Sequence, residues 1–109
     1  MNRLLLSARL VERQALRYTP AGLPALDLLL QHESEVVHEG QRRKVSVEMK
    51  ARAIGEVVKA AAALAIGEHA DFAGFVGAMR NGRGVVFHIL ELQAQPGPGG
   101  SAAQASESE

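Results

Sequence analysis

Between Lys44 and Arg52 the chain reads Lys44-Val45-Ser46-Val47-Glu48-Met49-Lys50-Ala51-Arg52, a strict alternation of polar and apolar side chains. On a β-strand this pattern sends Lys44, Ser46 and Lys50 out of one face and Val45, Val47, Met49 and Ala51 toward a core. Positions i and i+2 stand ~6.6 Å apart, close to the ~6–7 Å between phosphates of an extended polynucleotide. A cationic row at that spacing can follow an anionic backbone. Arg42 and Arg43 either add to the rim or only keep a loop soluble, Arg80 and Arg83 flank an Asn81-Gly82 turn, and Arg17 precedes Tyr18. Binding a single strand without sequence preference also needs flat surfaces on which bases stack. Only Tyr18, Phe72, Phe75 and Phe87 can offer them. If Ala70, Phe72 and Val76 face inward, Phe75 faces outward beside His69, on the surface of the strand lysines; Phe72 and Phe87 then belong to the core. The candidate contacts are therefore Arg17, Arg43, Lys44, Lys50, Phe75, Arg80 and Arg83. The same pattern also describes an ordinary solvated strand face.

Other chemistries find less support. The chain has no cysteine, so disulfides, zinc knuckles, iron–sulfur ligation and thiol catalysis are excluded. His32, His38, His69 and His88 lack metal-ligand spacing, and Gly82-x-Gly84 leads into a strand rather than opening a phosphate-binding helix. The expectation is a protein that is not an enzyme and that uses no cofactor or metal.

A length of 109 residues makes one domain. The net charge is zero, yet the signs are segregated. Residues 1–20 set four arginines against Glu12, residues 21–41 carry four acids and no Lys or Arg, and residues 42–59 hold six bases against Glu48 and Glu56. Such blocks can present a basic stripe in a neutral protein. The start has only the apolar run Leu4–Leu6 before Arg9, unlike a signal peptide, and Ala60–Ile66 is far too short to span a bilayer. A soluble intracellular domain without a membrane partner is expected.

Alternation over residues 2–13, with Leu4, Leu6, Ala8 and Leu10 on one side, predicts a first strand. Thr19-Pro20-Ala21-Gly22 is turn chemistry. Ala25–His32 predicts a second strand; Leu29 interrupts its polar face, which points to cover by a subunit partner. Glu33–Gln41 reads as polar loop, and residues 42–52 as the third strand. The period then changes: Ile54, Val57, Val58, Ala61, Leu64 and Ala65 predict one helix ending at Gly67. Residues 68–79 and 84–93 form a closing hairpin around Asn-Gly. Three strands, a helix and two more strands suit an all-β, five-stranded OB-fold Greek-key barrel with its helix between strands three and four. The last fifteen residues, 95–109, hold no large apolar side chain and are expected to be a disordered tail after a 1–94 domain.

Leu16-Arg17-Tyr18-Thr19-Pro20-Ala21-Gly22 resembles a Leu-Arg-Tyr-Thr-Pro-Ser-Gly segment of bacterial single-stranded-DNA-binding proteins, and Gly67–Val76 fits their fourth-strand frame. A shorter branch, the PriB or primosomal replication protein N family, is more similar. Asn2-Arg3-Leu4-x-Leu6-Ser7, Pro20-x-Gly22-x-Pro24, Leu30-x-His32-x-Ser34, Gly74-Phe75, Asn81-Gly82 and Val86-x-His88 carry that resemblance across residues 2–93. It implies a homodimer in the bacterial cytoplasm that binds single-stranded DNA and bridges the PriA helicase to later loading factors of the restart primosome. It assigns DNA contact to the basic loop of Arg80 and Arg83 and to Arg17. The family's third-strand tryptophan falls at Ser46, and a basic position near the end of strand two falls at Glu33. Two other readings stay open: a primosome adaptor with residual DNA affinity, and a truncated conventional single-stranded-DNA-binding protein.

Overall fold

The computed structural model describes residues 1–95, so the expected tail, Gln95 apart, lies outside the described residues. Six strands and one helix follow in the order β1 (Leu4–Arg13), β2 (Arg17–Tyr18), β3 (Pro24–His38), β4 (Gln41–Ile54), α1 (Val57–Ala63), β5 (His69–Ala78) and β6 (Val85–Ala94). The sheet order is β1-β5-β6-β4-β3-β2, and a further β1–β3 pairing closes the five long strands into a barrel. This is the expected OB-type architecture. The two-residue β2 raises the strand number, so the helix follows β4, the third of the long strands. No helix among the described residues is long and apolar enough to cross a membrane.

The core is built from alternate positions, as the period-2 pattern requires. Leu10, Leu26, Leu28, Leu30, Phe72, Phe87 and Ile89 are buried together with Ala51 and Ala53. The small residues of β4 leave room for the two phenylalanine rings, the alternation of large and small that fills a narrow barrel.

Three expectations change. Glu33–Gln41 is not a loop: β3 runs to His38 and pairs with β4 until His38 meets Gln41. Only Glu39 and Gly40 turn the chain, with φ of 55° and 75°, as a two-residue hairpin requires. Both faces of this segment are in water, so its strand left no apolar alternation to read. For the same reason Val45 and Val47, expected inside, are 37% and 39% exposed. They keep the inward phase but stand on a hairpin arm that runs past the barrel. The helix is also shorter than its apolar pattern, because Gly55 breaks the chain with φ of 85°. The Arg13 guanidinium donates to the carbonyls of Ala61 and Leu64 at 3.4 and 2.5 Å, satisfying groups that a helix end leaves unpaired.

Gly74 lies at the register shift between β5 and β6, where an added Cβ would stand 1.8 Å from the His88 carbonyl oxygen. The obstacle is backbone, which cannot swing aside. Gly74→Ala should therefore lower stability by about 3 kcal/mol, the upper end for overpacking, in urea melts. A loss under 1 kcal/mol would show that the bulge can open.

Candidate nucleic-acid interface

Three ladders set the outward face of the barrel. In β3–β4, Asp27 opposes Arg52 and Leu29 opposes Lys50. The parallel β4–β6 pairing places Arg52 beside His88, and β5–β6 places His88 beside Phe75. Paired residues project to one side, so Asp27, Arg52, His88 and Phe75 form a single row across four strands. Its far end is a ring pair: Phe75 and His88 stack with centroids 4.7 Å apart and planes 9° from parallel. Gly77 makes room for the imidazole, since a Cβ there would come within 3.2 Å of His88 Nε2. The near end of the row opens onto a cleft of about 310 Å³, lined by residues that include Glu12, Asp27, Leu29, Lys50, Arg52 and Met79.

Asp27 joins two arginines. Arg17 Nε donates to one carboxylate oxygen at 3.1 Å and Nη2 to the other at 3.2 Å, while Arg52 Nε donates at 2.8 Å. Partial burial pushes the Asp27 carboxyl upward, but the hydrogen bonds and charges of Arg52 and Arg17 outweigh it and hold it below its ordinary value of 3.8. His88 is held below its ordinary 6.5, first by partial burial and then by the Arg52 charge. The ring is thus neutral at pH 7, which suits it to stacking.

The expected contacts divide by position. Lys50 lines the cleft, Arg17 reaches it through Asp27, and Phe75, 37% exposed, ends the row. Arg80 and Arg83 lie in the loop 79–84, whose Met79 lines the same cleft. That loop is fixed by Gly82 N–H donating to Met79 O at 2.8 Å and Met79 N–H donating to Gly84 O at 3.1 Å. Lys44 shares the outward phase but stands out on the arm opposite Glu35. Arg43, opposite Val36, projects from the other face of the arm and does not join the row. Ser46 and Glu33, two departures from the family pattern, are cross-strand partners and coincide on the arm's outer face. Phe75 stacks on His88 rather than beside His69, because His69 pairs with Arg9 at the other end of β5. Leu29, the apolar residue on this face, lines the cleft.

Arg52 and His88 were absent from the candidates. Arg52 continues the alternation of Lys44 to Lys50 by one step and was legible there. His88 was not, because its proximity to Arg52 comes from a parallel pairing between strands far apart in the chain. Among the described residues, no three His, Asp or Glu side chains gather as a metal ion would need.

Residues 2–91 match a family model described as "another single-strand binding protein family", and a solved wild-type single-stranded DNA binding protein from Thermus aquaticus superposes with a TM-score of 0.72 at 25% identity over 91% of this chain and 52% of that one. The chain belongs to this family of OB-fold single-strand binding proteins. A replication restart protein PriB from Bordetella pertussis is 48% identical over 80 residues, 73% of this chain and 75% of that one. PriB from Ralstonia solanacearum superposes with a TM-score of 0.80 at 34% identity, covering 88% of this chain and 99% of the other. Within the family, this chain's branch is that of the replication restart proteins PriB.

Because the folded state disfavours protonated His88, the unfolded chain binds that proton more readily. Stability should rise with pH in the window just below 6.5. Urea melts between about pH 5 and pH 7 should show this rise, and His88→Gln should flatten it. An identical profile in that variant would remove His88 as the cause.

Proposed function

We propose that the chain binds single-stranded DNA without sequence preference, laid across the outward face of β3, β4, β6 and β5 in residues 1–94. One observation carries this reading: a parallel ring pair and the cations of Lys50 and Arg52 occupy the same face, next to the basic loop of Arg80 and Arg83. Cations would follow the phosphates while a base stacks against Phe75 and His88. Arg17 adds a contact at the cleft; Lys44 and Arg43, out on the arm, are peripheral.

We place the protein in replication restart in the bacterial cytoplasm, bridging the PriA helicase and later loading factors as a homodimer. Membership in the PriB branch supports the setting. The dimer is supported by β1, which from Leu4 to Ala8 pairs on one side only, with β5, and by the exposed Val36, Val45 and Val47 on the inner face of the arm. A sedimentation mass of twice 11.6 kDa is expected; one chain's mass would remove the dimer, and a tetramer would favour a conventional single-stranded-DNA-binding protein.

Labelled oligo-dT titrated at two salt concentrations tests the main reading. Three or four phosphate contacts predict a log–log slope of about 2 to 3. Joint replacement of Arg80 and Arg83 by glutamate should reduce both affinity and slope, and Phe75→Ala should weaken binding by about fivefold. The adaptor reading is favoured by Glu33 facing Ser46 where the family pattern has a base and a tryptophan. A flat salt response, or no binding at low salt, would decide for it.

A further inference from the structure

The β3 end of the proposed strand path is occupied by an anion of the protein's own. Asp27 receives the fork of Arg17 through Nε and Nη2 and a third bond from Arg52 Nε, at 2.8 to 3.2 Å. A phosphodiester presents a guanidinium with the same pair of acceptor oxygens as a carboxylate. The two arginines are held unequally. Arg52 belongs to a strand laddered on both sides, by β3 and β6, and its side chain is 33% exposed; Arg17 sits on the two-residue β2 and its side chain is 45% exposed. Ion pairs this open to water contribute little and exchange readily.

Resting on the single-strand reading above, we propose that Asp27 is a built-in substitute for a DNA phosphate, holding Arg17 at the cleft in the free protein and releasing it to the bound strand. Arg52 stays on Asp27 and fixes the row. The carboxylate relieves repulsion among Arg17, Lys50 and Arg52 when no strand is present. The strand gains Arg17 only by breaking its bonds to Asp27, so the same group that orders the site restrains its affinity. Glu12, on the wall of the same cleft, has no such arginine partner among the described residues.

Asp27→Asn keeps the side-chain shape and removes the charge. It should bind oligo-dT roughly three- to tenfold more tightly at low salt, with a modest fall in melting temperature. The gain should shrink below about twofold in an Arg17→Ala background. Unchanged or weaker binding by a folded Asp27→Asn protein overturns the proposal, as does a gain that persists in full without Arg17. In the unmodified protein, NMR of the arginine side chains should show the Arg17 Nε–H resonance moving on saturation with oligo-dT; an unmoved resonance overturns the proposal without any variant. If the wild-type protein binds the oligonucleotide but these effects are missing, only the role of Asp27 falls. If no form of the protein binds at low salt, the single-strand reading falls with it.

Discussion

The β3–β4 ladder constrains everything else, since fourteen consecutive cross-strand pairs, from Ala25 with Ile54 to His38 with Gln41, bind two strands into one rigid ribbon. Every pair commits two side chains to the same face, and a slip of one residue would exchange the faces along the whole length. In the lower half, this register buries Leu26, Leu28, Leu30, Ala51 and Ala53 and turns Asp27, Leu29, Lys50 and Arg52 outward. The core and the candidate site are therefore two sides of one register, and neither can shift without the other.

The upper half of the ribbon obeys the same phase in a different environment. Past Met49 the inner face is only partly covered among the described residues, so valines that would be core in the barrel meet water. Apolar surface left this way on an otherwise polar arm is the kind that association covers. The outer face of the arm is no substitute for the barrel face as a path for DNA. Glu33, Glu35 and Glu48 dilute Lys44, and the Arg42–Glu35 pair at 3.4 Å is open to solvent. Charge and the stacked ring pair converge where β4 and β6 run side by side.

That convergence is modest in strength. A phenylalanine and a neutral imidazole provide less stacking area than a tryptophan, and two of the arginines already hold a carboxylate. The balance moves toward electrostatics, which act over a Debye length and fall with salt.

The strands of the barrel were legible in the residues because a half-buried strand records its environment every second position; Leu26 to Leu30 and Met49 to Ala51 did so, and Asn81-Gly82 marked the last turn. Family membership was legible too, in short segments whose order and spacing agree. The arm from Glu33 to His38 was not, since a strand wet on both faces carries no hydropathy signal. The helical pattern runs past the helix because Ile54, the exposed last residue of β4, and the buried Leu64 flank it at helical spacing. Lys50 and Phe75 could be assigned an outward direction from alternation alone, which is a local property. That Arg52 would lie against His88, that His88 would stack on Phe75, and that Asp27 would gather two arginines depended on which strands became neighbours. Barrel closure decides that, and it is a property of the whole chain that no local period encodes.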